Sequence, residues 1–303
     1  MTEPAVRPTG RPPLRLPEAT AARILFRMQR SEFSWGKDAG AKIFAVDWRS
    51  EGEPKAVIAL VHGLGEHIGR YEHVAKAFTD SGYAVVGMDL PGHGRSAGKR
   101  GHAPYARIMD ELDRLVREAR ERHPGKPVFL YAHSMGGAAA LEFCIGRKPA
   151  LRGLIVGSPL LRTAEPVAPW KLLVAKSLGL VFPSVTMPNG LDPETVSRDA
   201  EIVRIYRTDP LGHSMVSART GLDMMKAGPH ILANAASITI PVLYLQGTAD
   251  GIVDPTAAGE FAAKAGKNLT LKVFEGLYHE LHNEPERAEV FRCVLGWMDA
   301  LLT

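Results

Sequence analysis

Cysteine is scarce in this chain: two residues in 303, Cys144 and Cys293, far apart in sequence and both in predicted helices. They imply no disulfide framework and no metal-ligand spacing, which suits a reducing compartment. Long apolar runs are missing too. No segment reaches the roughly 18 apolar residues that a membrane span needs. The Pro- and Arg-rich lead from Met1 to about Pro17 lacks the apolar core of a signal peptide. A cytoplasmic protein is expected. The excess charge is small, formally +4, with a pI of about 9.0. Its arginines, among them Arg7, Arg11, Arg15, Arg147 and Arg152, are spread along the chain with no aromatic residues interleaved. That argues against a nucleic-acid partner and leaves weak attraction to anionic lipid surfaces.

What is present is ordinary for a globular protein, 45% apolar and 23% charged residues, enough for one large α/β domain or two medium ones. Weak alternation around 32–35 and 42–48 predicts a hairpin. Strands are then expected over 56–61, 83–89, 128–132, 151–157, 240–246 and 269–274, and helices over 71–81, 109–123, 136–146, 257–265 and 287–302. Near-continuous apolar strands alternating with helices predict a mostly parallel sheet covered on both faces. The rhythm breaks where Pro159, Pro166, Pro169, Pro183, Pro188, Pro193, Pro210 and Pro229 accumulate. An interruption of that length is too long for a passive loop. The expected organisation is a mobile lead over 1–30, a core over 31–157 and 237–303, and a cap inserted over 158–236.

The chemistry centres on Ala132-His133-Ser134-Met135-Gly136-Gly137, where an apolar run stops at a serine and small residues open a helix. This is the pattern of a nucleophile elbow, with Ala132 and Gly136 small where strand and helix must approach. A serine hydroxyl needs a histidine to take its proton and a carboxylate to orient that histidine. In a parallel sheet these come from loops after later strands. Asp250 follows the strand over 240–246 and His279 follows that over 269–274, so Ser134, Asp250 and His279 stand in the expected order. Each has a competitor. Asp254, directly before Pro255, reads as a helix cap; His282 lies three residues deeper in its turn; Asp89 precedes the elbow and reads as a brace for the Gly92–Gly94 loop. His279 and His282 lack a third ligand for a metal. Two backbone amides are expected to bind the oxyanion: that of Met135, and that of Leu64 in the turn after His62-Gly63.

With these pieces placed, the chain resembles the monoacylglycerol lipase branch of the α/β-hydrolases, sometimes grouped with lysophospholipases. The resemblance rests on His62-Gly63-Leu64-Gly65-Glu66-His67, Asp89-Leu90-Pro91-Gly92-His93-Gly94, His133-Ser134-Met135-Gly136-Gly137, Gln246-Gly247-Thr248-Ala249-Asp250 and Tyr278-His279-Glu280-Leu281-His282. These run in family order from about residue 30 to the C-terminus; Ala132, where the family has glycine, is a departure. The resemblance implies an α/β-hydrolase fold, a lipid ester substrate, no cofactor, and a cap over an acyl tunnel with a small polar end for glycerol. It places Glu66, Arg70, His133 and Tyr206 near that end, with the alternatives that Glu66 and Arg70 pair with each other and that Tyr206 braces the cap.

The apolar cap segment over 170–182, carrying Trp170, Leu173 and Phe182, is read either as ordinary cap packing or as a transient dock on a membrane surface. Rival substrates on the same triad are lysophospholipids, short-chain esters, thioesters and N-terminal proline peptides. Ser134 argues against epoxide hydrolases and dehalogenases, which use an aspartate at the elbow. A reading from another class is a binding protein that keeps the fold without catalysis. The oligomeric state is left open.

Overall fold

The computed structural model describes residues 28–166, 179 and 181–303. The predicted hairpin is β1 (Gln29–Trp35) paired antiparallel with β2 (Ile43–Arg49). β1 therefore starts inside the stretch assigned to the lead, of which residues 1–27 lie outside the described residues. β3 (Ala56–Val61), β4 (Tyr83–Met88), β5 (Val128–His133) and β6 (Gly153–Gly157) follow. Within the insertion β7 (Thr186–Pro188) pairs antiparallel with β8 (Met215–Ser217). β9 (Val242–Gly247) and β10 (Leu269–Phe274) return to the main sheet. That sheet has eight strands in the order β1-β2-β4-β3-β5-β6-β9-β10, parallel from β4 onward. The fold is that of an α/β-hydrolase.

Alternation within apolar strands fills two cores. In β3, Val57, Ala59 and Val61 face one apolar cluster, while Ala56, Ile58 and Leu60 face the other. The first cluster includes Leu112 and Leu115 of α2 (Tyr105–Arg122), Ala138 and Leu141 of α3 (Ser134–Arg147), and Phe261 of a later helix. The second includes Val74 and Phe78 of α1 (Glu72–Thr79) and Val290, Val294 and Met298 of the C-terminal helix. Both faces of the sheet are covered.

α2 begins at Tyr105, four residues before the expected start, because the Tyr105 amide donates to the Asp223 carboxylate at 3.0 Å. That cap comes from 118 residues away and leaves no local signal. The insertion has helices of its own. It holds α4 (Ala200–Thr208) and then α5 (Ala218–Asn234), a 17-residue helix that contains Pro229. α5 lies on α3, and its Ala227, Ile231 and Leu232 share the core cluster of α2 and α3. α6 (Thr256–Lys264) and α7 (Arg287–Leu302) complete the cover. Of the segment read as touching lipid, residues 170–178 and 180 lie outside the described residues. Among the described residues, no helix is long and apolar enough to cross a membrane.

Candidate active site

β5 delivers its last side chains at the C-terminal edge of the sheet, and the turn into α3 places Ser134 with φ +53°. A non-glycine residue in this left-handed region stores strain of about 1–3 kcal/mol and persists where surrounding packing dictates it. The packing is tight here: a Cβ on Gly136 would stand 2.3 Å from the His62 carbonyl oxygen. The elbow and the loop after β3 therefore touch backbone to backbone.

Two further loops reach the serine. His279, after β10, has Nε2 2.9 Å from Ser134 Oγ and Nδ1 2.8 Å from Asp250 Oδ2. Asp250, after β9, is buried and well supplied with donors. Its Oδ1 accepts from the Ile252 and Val253 amides at 2.9 Å each, and Oδ2 also accepts from Gln246 Nε2 at 3.1 Å. Burial opposes the Asp250 charge, but His279 and the two amides outweigh it and hold the carboxyl below the usual range. Burial likewise pushes the His279 pKa down; the charge and hydrogen bond of Asp250 overcome this, and with Glu280 and Glu66 hold it above the ordinary histidine value.

The loop after β3 forms the other wall. His62 donates from Nδ1 to the Gly63 carbonyl at 2.8 Å and accepts the Leu90 amide on Nε2 at 2.9 Å. A Cβ at Gly63 would lie 3.1 Å from Ser134 Cβ. The Gly63 amide is occupied, donating to Glu66 Oε1 at 2.6 Å. Among the described residues, the amides of Leu64 and Met135 have no acceptor within the chain. Leu64 lies in the loop after β3, and Met135 in the first turn of α3, where amides are free by construction.

The four residues placed at the polar end fall into two kinds. Glu66 and Arg70 are side chains only 3% and 6% exposed, and their polar atoms are engaged inside the protein. Arg70 reaches Glu280 through two nitrogens at 2.8 Å each and Glu66 at 3.1 Å, while Glu66 also accepts from the Tyr71 hydroxyl at 2.9 Å. Of the two alternatives open for this pair, the structure displays the internal ion pair. His133 is buried, donates from Nδ1 to the Gly157 carbonyl at 3.0 Å and lies under the His279 ring, centroids 4.7 Å apart. Burial and the neighbouring His279 push its pKa down to about 3, so it stays neutral. Tyr206, half-buried in α4, stacks on the Arg70 guanidinium at 5.0 Å, and its hydroxyl makes no hydrogen bond among the described residues.

The competing residues stand elsewhere. Asp254 accepts from the Thr256 amide at 2.9 Å and from Arg162 at 2.6 Å, at the head of α6. His282 is buried against the Tyr71 ring at 4.7 Å. Asp89 accepts the amides of Ile68 and Arg95 at 2.7 Å each, tying the loop after β3 to the loop after β4. Glu280 was missed by sequence reasoning, although a charged residue directly after a candidate base was a usable signal. The cap is also seated on this site. His67 Nε2 lies 2.7 Å from Asp209, and the His213 amide donates to the Gly65 carbonyl at 2.8 Å.

The chain has relatives among known proteins. Residues 52–286 match the family model Hydrolase_4, described as serine aminopeptidase, S33. The chain is 34% identical over 273 residues to the monoacylglycerol lipase of Mycolicibacterium smegmatis, covering 89% of this chain and 97% of that protein. It is 34% identical over 256 residues to phospholipase YtpA of Bacillus subtilis, covering 83% and 98%. The crystal structure of the Paleococcus ferrophilus monoacylglycerol lipase superposes with a TM-score of 0.77 at 32% identity, covering 91% of this chain and 98% of that one. The chain belongs to the Hydrolase_4 family of α/β-hydrolases, in the branch that holds the monoacylglycerol lipases.

Proposed function

We propose that this chain is a serine hydrolase that cleaves the carboxylic ester of monoacylglycerols. The observation that carries the reading is the unbroken line Asp250–His279–Ser134, with contacts of 2.8 and 2.9 Å. The Asp250 contact fixes the proton of His279 on Nδ1 and leaves Nε2 free to accept from Ser134. Ser134 Oγ attacks the ester carbonyl as His279 takes its proton. The Leu64 and Met135 amides hold the developing oxyanion, each donor being worth about 2.7–4 kcal/mol in comparable sites. Collapse of the tetrahedral species hands the proton to the glycerol oxygen and leaves the acyl group on Ser134. Water, deprotonated by His279, then releases the fatty acid.

At the polar end, the hydroxyl of Tyr206, with no hydrogen bond among the described residues, is the group available to glycerol. Glu66 and Arg70 serve as the frame that fixes the Gly63 amide and the loop around it, and His133 as the floor under His279. A lysophospholipase reading is favoured by one observation, the equal identity to a phospholipase. Comparing 1-monolauroylglycerol, a matched lysophosphatidylcholine and a short-chain nitrophenyl ester separates the readings. Preference for the glyceride is expected; preference for the lysophospholipid makes the second reading correct, and preference for the short ester rules out both lipid substrates.

Contact with lipid belongs to the same proposal. Val181 and Phe182, adjacent in the inserted segment, are 68% and 58% exposed and present apolar side chains suited to a lipid surface. Liposome co-sedimentation is expected to weaken in Val181→Ser plus Phe182→Ser, and no change would remove membrane docking from the account.

A further inference from the structure

The loop that carries His279 is held by a carboxylate that the hydrolytic reading does not use. The Glu284 side chain is 0% exposed and receives four donors. Its Oε1 accepts from the Ser197 hydroxyl at 2.8 Å and the Arg198 amide at 2.7 Å. Its Oε2 accepts from Arg198 Nε at 2.6 Å and the Tyr278 amide at 3.1 Å. Three of these donors belong to the cap, just before α4. The fourth is the residue immediately preceding His279. One more bond runs between the same two segments: the Glu280 amide donates to the Val196 carbonyl at 2.8 Å.

An ionised carboxylate is strongly unfavourable in a buried position unless its oxygens are satisfied, and an apolar side chain often serves packing as well. The position is therefore suited to directional bonds rather than to filling space. We propose that Glu284 is a positioning residue that ties the foot of the cap to the loop carrying His279, so that the base is aligned on Ser134 while residues 196–198 are seated. The inference rests on the reading of His279 as the base. Tyr278 is held by Glu284 on one side of His279. Glu280, gripped by Arg70, is held on the other. Release of the first restraint lets the imidazole drift, and misplacement on the order of 1 Å lowers turnover by up to about a hundredfold.

The test uses the full chain with a water-soluble nitrophenyl ester, so that no lipid interface enters. At temperatures well below each melting midpoint, Glu284→Gln is expected to lose about tenfold or more in kcat and Arg198→Met about threefold, with KM within about twofold of wild type. The titratable groups that bear on His279 are Asp250, Glu280, Glu66, His133 and His282. Because the fold raises the His279 pKa and the base must be neutral, wild-type kcat/KM should fall as pH drops through a midpoint above about 6.5. A tilted ring loses part of its Asp250 contact, so that midpoint moves to lower pH in both variants. Variants that melt earlier yet keep the wild-type kcat and midpoint overturn the proposal. Arg198 is 34% exposed, so its variant decides the matter if Glu284→Gln does not fold. Wild-type turnover that vanishes in Ser134→Ala tests the hydrolytic reading separately.

Discussion

Asp250 and Asp254 are four residues apart after the same strand, yet they face different partners. Asp250 is held by two amides and Gln246 so that one oxygen points at His279; Asp254 turns outward to Arg162 and Thr256. Asp250→Asn would present an amide hydrogen to His279 Nδ1 and force the other tautomer. A loss of about 10⁴-fold in kcat with little change in melting temperature is expected, whereas Asp254→Asn should keep activity within a few fold. The reverse ranking would assign the carboxylate role to Asp254. The places of Ser134, Asp250 and His279 were legible because each follows a strand, and strand ends are marked locally by where apolar runs stop. Glu280 and Glu284 were not. Arg70 lies 210 residues from Glu280, and Arg198 lies 86 from Glu284. No periodicity connects such pairs.

Among the elements, strands were the most readable part: β3 and β10 occupy the expected limits, β3 as a buried apolar run and β10 as an edge strand with apolar residues at Leu269, Leu271 and Val273. Helix starts were less so. α2 takes its cap from Asp223 on α5, and α5 runs through a proline that had suggested a break. The junction of β5 and α3 is where element geometry meets chemistry. Gly136→Ala would drive a Cβ to 2.3 Å from the His62 carbonyl oxygen and push apart the two segments that carry Met135 and Leu64. Steady-state kinetics should show kcat lowered about 10²-fold or more, in line with the loss of one oxyanion donor, with KM far less affected. Unchanged kcat would mean that the contact between elbow and oxyanion loop can open without consequence.

For the molecule as a whole, α4 spans two catalytic loops. Residues 196–198 just before it bind the His279 loop, and Asp209 and His213 just after it bind the loop from Gly65 to His67. The sequence showed an insertion but not this seating, because its contacts join stretches separated by most of the chain. The arrangement ties the inserted segment to the loops around Ser134. Release of lauric acid from 1-monolauroylglycerol by the purified chain, with Ser134→Ala measured alongside, addresses the central claim most directly. Turnover that disappears in the variant is the predicted result. Equal rates from both proteins, or none from either, would contradict the assignment of Ser134 as the nucleophile of a monoacylglycerol hydrolase.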